Sequence, residues 1–326
     1  MKKRFFCLIV ALVTVFALSV GLVGCSESHT QLPDNTEGSK DHSKIMYYTE
    51  NNVPYDDDND CYEYCFMTPY LAARPTGGAV LVFPGGAYNH LSNSTGKNGK
   101  DNDGDQKESS SIADYYNEKG ISVFVVNYRT KKVDSEISYK QILSDATRAL
   151  KYVSKNADKY YVKKDKIAVQ GYSAGGHLAS VLVTKGCFKV DDSAYVKDEI
   201  DDENAIVSAG VLCYPVISLV ESYTHKSTAK NFSGGDEAIK TAYSSEKNVT
   251  ENTPPCFLWC HENDATVSSD NTKAMRDALL AMNIENETYI FDDNGEISHG
   301  VGIAQDFEEA KVWPTKAAEF LKNLGF

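Results

Sequence analysis

Positive charge is scarce in this 326-residue chain: 33 Lys and Arg stand against 46 Asp and Glu, a formal net charge of −13. Nucleic-acid partners need clustered cations to neutralise phosphates, so that class is excluded. The same acidity gives no electrostatic attraction to an anionic bilayer. There is no internal repeat, which sets solenoid and propeller arrays aside. Zinc-knuckle spacing is also missing. Cys61 and Cys65, like Cys256 and Cys260, lie four apart with no second Cys/His pair nearby, so no metal and no cofactor is expected. What remains is ordinary: 42% hydrophobic and 24% charged residues. That composition suits a soluble globular chain with one large core, and excludes a wholly disordered, collagen-like or many-spanning membrane protein.

The N-terminus supplies the membrane attachment that charge does not. Lys2, Lys3 and Arg4 precede an apolar run from Phe5 to Val20, the layout of a secretory signal. The run ends in Leu22-Val23-Gly24-Cys25, which resembles the lipobox of bacterial lipoproteins. The resemblance implies cleavage after residue 24 and diacylation of Cys25. Two acyl chains anchor stably where one does not. Cleavage removes three positive charges and no acidic ones, taking the charge from −13 to −16. Residues 25–44, nearly free of apolar side chains, read as a flexible tether. The expectation is an exported, membrane-anchored bacterial surface lipoprotein.

Six cysteines remain beyond Cys7 and Cys25: Cys61, Cys65, Cys187, Cys213, Cys256 and Cys260. Cys61 and Cys65 read as lying in a strand, as do Cys256 and Cys260. Residues four apart in a strand are roughly 13 Å apart, too far for a disulfide within either pair. Cross-strand bridges and buried free thiols both remain open.

From residue 45 to 326, short apolar runs alternate with helical spacing. Ala79 to Phe83, Ile121 to Val126, Lys166 to Gln170, Ala205 to Leu212, Phe257 to Trp259 and Thr288 to Phe291 lack polar alternation. Such runs suit strands covered on both faces of a parallel sheet. Tyr139 to Lys155, Asn271 to Met282 and Glu308 to Leu324 carry apolar residues at helical intervals. The fold class is therefore α/β, a mostly parallel central sheet flanked by helices. Two polar stretches interrupt it. Asn93 to Ser110 contains Asp101-Asn102-Asp103-Gly104-Asp105, which looks calcium-like. In an EF-hand register, however, Gly99 and Ser110 would fall where carboxylates are needed, so a solvated loop is expected. Asp56 to Asp60 reads as a turn. Ser218 to Thr250 separates two strands as a small insertion or lid.

Gly171-Tyr172-Ser173-Ala174-Gly175 lies between a strand and a helix, the context of a nucleophile elbow. Side chains at Gly171 or Gly175 would collide with neighbouring backbone in so sharp a turn. The turn lifts the Ser173 hydroxyl clear of the sheet. Upstream, Val82-Phe83-Pro84-Gly85-Gly86-Ala87-Tyr88 ends another strand in paired glycines. The N–H groups of Gly86 and Ala87, with that of Ala174, are the candidate oxyanion donors. A serine hydroxyl needs a base. His29 and His42 fall in the tether. His177 lies four residues after Ser173 on one helix and should pack or hydrogen-bond instead of facing it. His90 is placed to line a pocket, and His225 falls in the insertion. His299, in a loop after the last strand, stands where the order Ser…Asp…His puts the base. Asp264, at the end of the strand from Phe257 to Cys260, is its carboxylate, ahead of Glu262 and Asp292.

These motifs resemble α/β-hydrolase esterases of the acetylesterase and acetyl-xylan-esterase-like group, also called endo-xylanase B-like. The resemblance is carried by Pro84 to Tyr88, Gly171 to Leu178, Tyr214-Pro215-Val216, Thr253-Pro254-Pro255, Asp264 to Val267 and His299-Gly300. Ala87 stands where that group usually has a third glycine. The resemblance implies an α/β-hydrolase fold and hydrolysis of short acyl esters, frequently acetyl groups on plant polysaccharides. A Ser173–His299–Asp264 triad would act through an acyl-enzyme. Tyr88, Tyr172 and Tyr214 are expected to shape the substrate pocket. The expected partner is an acylated carbohydrate or another small ester. A general short-chain carboxylesterase and an inactive carbohydrate-binding lipoprotein are the alternatives.

Overall fold

The computed structural model describes residues 42–56, 61–92, 108, 110–295 and 298–326. The signal segment, Cys25, the tether to residue 41 and the Asp101–Asp105 loop lie outside the described residues. Eight strands form one sheet: β1 (Ile45–Met46), β2 (Phe66–Tyr70), β3 (Ala79–Phe83), β4 (Ser122–Asn127), β5 (Ile167–Tyr172), β6 (Ala209–Cys213), β7 (Cys256–His261) and β8 (Asn286–Phe291). Their spatial order is β1-β2-β4-β3-β5-β6-β7-β8. Pairing is antiparallel between β1 and β2 and between β2 and β4, and parallel at every other step.

The helices are α1 (Ala113–Asn117), α2 (Tyr139–Lys155), α3 (Ala174–Lys185), α4 (Lys226–Ser233), α5 (Glu237–Ala242), α6 (Asp270–Ala281) and α7 (Trp313–Asn323). Alternation along each strand distributes side chains to two cores. Leu81 and Phe83 join Ile142 and Leu150 of α2, Leu178 of α3 and Met275 of α6 on one face. Val80 and Val82 join Tyr116 of α1 and Trp313 and Leu321 of α7 on the other. Both faces of the parallel strands are thereby covered, which is why their sequences lack polar alternation. Helix α2 starts at a capping box, Ser138 with Gln141, and buries Ile142, Ala146, Leu150 and Val153.

The chain leaves β3 toward β4 on one side, and β5 returns on the other. The register sets Phe83 opposite Gly171 and Val82 opposite Gln170, so the C-terminal ends of β3 and β5 lie side by side. Crevices at such a reversal of strand order are where open α/β sheets place their chemistry.

Several sequence expectations are corrected. The strand expected from Ala205 starts only at Ala209. Cys61 and Cys65 flank a 3₁₀ turn, Tyr62–Tyr64, and are not in a strand. Strand β8 is an edge strand with only Phe291 buried, so its apolar run does not signal two covered faces. The antiparallel pair β1 and β2 had no apolar run to announce it. Pro69 within β2 is tolerated because β1 reaches only Phe66 and Met67. His42, assigned to the tether, instead donates from Nδ1 to the Pro69 carbonyl at 2.8 Å and packs on Tyr70. All six described cysteines are free thiols. Burial pushes the Cys256 and Cys260 thiols up to about 12, which keeps them protonated and inert.

A buried ion pair joins the segment just after β4 to α2. Arg129 Nη2 lies 2.7 Å from Asp145 Oδ1 with both side chains 0% exposed, and Arg129 Nη1 donates to the Pro54 carbonyl at 2.9 Å. The Arg129 backbone N–H also donates to Asp145 Oδ2 at 2.9 Å. Removing the carboxylate strands a buried guanidinium. Asp145→Ala should therefore lose roughly 3–5 kcal/mol of stability, read as a lowered urea midpoint with an unchanged m-value.

Candidate active site

Ser173 sits between β5 and α3 with φ 54° and ψ −116°. A non-glycine residue at positive φ is strained and persists only where its surroundings hold it. They do so here through three backbone bonds: Ser173 N–H to Cys213 O at 3.0 Å, and His177 N–H and Val216 N–H to Ser173 O at 3.1 and 3.0 Å. The flanking glycines are sterically required. A Cβ on Gly171 would lie 1.9 Å from Gly175 O, and one on Gly175 would lie 2.1 Å from Phe83 O.

Three distant residues meet at this turn. His299 Nε2 lies 2.8 Å from Ser173 Oγ, and His299 Nδ1 lies 2.6 Å from Asp264 Oδ2. With the proton on Nδ1, the ring donates to Asp264 and accepts from the Ser173 hydroxyl. Asp264 is fixed in turn, its Oδ1 accepting the N–H groups of Thr266 and Val267 at 2.8 and 2.9 Å. Its side chain is 1% exposed and that of His299 is 16% exposed, so the carboxylate is shielded while the ring edge is open. The competing carboxylates are engaged elsewhere: Glu262 with Lys273, and Asp292 with Asn263.

The β3 loop faces the elbow. Gly86, Ala87 and Tyr88 have φ of 114°, 55° and 58°. In a trans peptide, the N–H points opposite to the carbonyl of the preceding residue. Gly85 O accepts from Ser92 N–H, and Gly86 O accepts from the N–H groups of Asn89 and His90. The N–H groups of Gly86 and Ala87 are therefore turned away from the loop's own bonds. By the same argument, Ser173 O bonded inward turns the Ala174 N–H outward at the start of α3. A Cβ on Gly86 would lie 2.0 Å from His90 O, so this turn admits only glycine. Ala87 is locked from outside: its carbonyl accepts from Asn231 Nδ2 of α4 at 2.8 Å. The insertion expected from Ser218 to Thr250 thus consists of α4, α5 and a 3₁₀ turn, and it braces the loop.

The three tyrosines expected to shape the pocket act from behind it. Tyr88, Tyr172 and Tyr214 are 0%, 0% and 1% exposed. The Tyr88 hydroxyl donates to His177 Nδ1 at 2.8 Å, while His177 Nε2 donates to Tyr243 O at 2.9 Å. Tyr172 packs against Trp313 in the core on the α7 face. Tyr214 presents its edge to the His299 ring at 5.0 Å. His90 is exposed. His225 immediately precedes α4, its Nδ1 2.8 Å from Thr228 Oγ1. Burial first, then the charge of nearby His299, lowers its basicity. Sequence reasoning missed Asn231 and also Glu108, which is 4% exposed although it falls in a stretch whose composition promised solvation. Neither carries a local motif. Among the described residues, no group of three or more His, Cys, Asp or Glu side chains is placed to hold a metal ion.

The family model described as BD-FAE matches residues 78–279, more than half of the chain, covering both the β3 loop and Ser173. The chain belongs to the BD-FAE family. A solved relative, the acetyl ester-xyloside bifunctional hydrolase of Caldicellulosiruptor lactoaceticus, is 30% identical, with a TM-score of 0.74 over 87% of this chain and 97% of that one. Among curated proteins, an endo-1,4-beta-xylanase B of Butyrivibrio fibrisolvens is 32% identical over 70% of this chain and 33% of its own length. An acetylxylan esterase of Xylanibacter ruminicola is 28% identical over 79% of this chain and 47% of its own. The chain thus spans a third to about half of the curated relatives it matches. The fold of this BD-FAE member is that of the α/β hydrolases.

His177 makes the native state sensitive to acid. Burial drops its imidazole from 6.5 to about 4. Between those values the unfolded chain binds a proton that the native chain does not. Stability is therefore intact above pH 6.5 and falls as pH drops toward 4, by about 3 kcal/mol in total. Urea unfolding of the wild type from pH 7 to 4.5 should show this slope, and His177→Gln should flatten it.

Proposed function

We propose that the protein is a serine esterase that removes short acyl groups, chiefly acetyl, from carbohydrate. The reading rests on one observation: the unbroken hydrogen-bond chain from Ser173 through His299 to Asp264. Ser173 Oγ attacks the ester carbonyl while His299 Nε2 takes its proton. Asp264 holds the ring with Nε2 toward the serine and stabilises the imidazolium. Negative charge then develops on the carbonyl oxygen, and the N–H groups of Gly86, Ala87 and Ala174 are the donors that meet it. The imidazolium protonates the departing alkoxide, leaving an acyl-enzyme. Water, deprotonated by His299, attacks that ester, and Ser173 leaves with its proton restored.

The substrate side is supported by the names of the relatives: acetylxylan esterase, xylanase B and acetyl ester-xyloside hydrolase. The sequence of residues 1–25 supports a place outside the membrane, held by a lipid on Cys25, where polymeric plant carbohydrate is accessible.

Ser173→Ala should lower kcat on p-nitrophenyl acetate by on the order of a millionfold, and Asp264→Asn by roughly ten-thousandfold, with folding retained. A fluorophosphonate should label the wild type and not Ser173→Ala. An active Ser173→Ala protein would refute the mechanism. Acetate release from acetylated xylan, compared with hydrolysis of nitrophenyl butyrate, tests the sugar ester against a general short-chain ester. No release from the polymer, with butyrate turned over equally well, argues for the general ester.

A further inference from the structure

The esterase mechanism leaves Glu108 without a task, yet it is a buried carboxylate beside the reacting groups. Its Oε2 accepts the Gly85 N–H at 3.1 Å and the Ser92 hydroxyl. Its Oε1 accepts the Tyr214 hydroxyl at 2.8 Å. The Tyr214 hydroxyl in turn accepts the Gly302 N–H at 2.9 Å, three residues after His299 in the same loop. A continuous path therefore runs Gly85–Glu108–Tyr214–Gly302. It ties the loop that bears Gly86 and Ala87 to the loop that bears His299, and it passes next to Ser173. A Cβ at Gly85 would lie 2.7 Å from Glu108 Oε2 and 3.1 Å from Ser173 Cβ, so carboxylate, loop and elbow are in mutual contact.

We infer that Glu108 is a positioning residue that sets the oxyanion loop and the His299 loop in register with each other through Tyr214. The inference rests on the esterase reading above. A carboxylate suits this place for a chemical reason. Three neutral donors converge on two oxygens, and an ionised acceptor makes bonds about twice as strong as a neutral one. It also accepts at every lone pair. Glutamine has the same shape but offers one oxygen and an NH₂, which must face a donor. The Gly85 N–H cannot rotate, so the amide nitrogen turns toward Tyr214, whose hydroxyl must then accept from both the amide and Gly302 and loses the acceptor for its own proton. The link between the loops is then cut or strained while the packing stays. The effect falls on the reaction and not on ground-state binding, because the oxyanion forms only as the serine attacks. Glu108 touches no substrate in this scheme and acts through Gly85 and Tyr214.

The test compares wild type, Glu108→Gln, Tyr214→Phe and the double variant on p-nitrophenyl acetate, with active sites counted by fluorophosphonate titration. Counting sites removes any loss caused only by unfolded protein. Glu108→Gln should lower kcat per titrated site about ten- to a hundredfold, comparable to an impaired oxyanion donor, with KM changed less than about threefold. Tyr214→Phe, which loses one oxygen and keeps the ring against His299, should lower kcat in the same way. The double variant should be no slower than the worse single one, because both cut one path. Losses that multiply, or a full kcat per titrated site in Glu108→Gln, overturn the inference while leaving the esterase reading intact. If Glu108→Gln does not fold, an unchanged kcat in Tyr214→Phe overturns it equally. A wild type that neither hydrolyses the ester nor takes the label overturns the esterase reading, and the role of Glu108 falls with it.

Discussion

The arrangement depends on the ladder of parallel pairs that runs from β5 through β8. Tyr172 pairs with Cys213, Cys213 with Trp259, and Trp259 with Tyr289. Tyr172 and Cys213 end their strands, while β7 and β8 run on to His261 and Phe291, and each chain segment then turns out of the sheet at the same edge. Ser173 follows the first of them directly. Asp264 and His299 lie in the loops after the third and fourth. A register slip of one residue on β5, β7 or β8 would turn its side chains to the other face, and would move one of the three groups out of the 2.6–2.8 Å contacts that join them.

On that frame, the site combines strain with rigidity. Ser173 is held at positive φ by bonds to Cys213, Val216 and His177, all from elements with their own places in the core. The β3 loop, with positive φ at Gly86, Ala87 and Tyr88, is braced by Asn231 from α4, Lys131 after β4 and His177 of α3. The polar groups that brace Ser173 and the β3 loop are thus hydrogen-bonded, the condition under which such networks rigidify a structure. A further buried pair, His261 with Asp293, does similar work under the His299 loop. Asp293 also accepts the N–H groups of Glu309 and Ala310, which pins the far end of that loop.

Much of this was legible from local pattern. The five strands β3 to β7 and the helices α2, α6 and α7 lie close to where apolar runs and helical spacing put them, because burial on two faces or one dictates those patterns directly. The elbow was legible because its constraint is local: two glycines beside a serine between strand and helix. His299 and Asp264 needed chain order in addition, since a histidine or aspartate in a loop carries no signal of its own. The expectations that failed had weaker physics behind them. Cysteines four apart do not define a strand, and an apolar stretch such as Thr288 to Phe291 does not reveal that it stands at an edge. Tyrosines near a motif do not reveal which way they face, and Tyr88, Tyr172 and Tyr214 all point inward.

By itself, then, the amino-acid order determined the layered α/β architecture, the strand that ends in the serine and the glycines that let it turn, because sterics and hydrophobic periodicity act over a few residues. Which groups meet was decided only when the sheet assembled. Glu108 joins Gly85 across 23 positions and Tyr214 across 106, and Asn231 reaches Ala87 across 144. Bonds of that range leave no trace in local composition, since their partners are chosen by the path of the backbone through space.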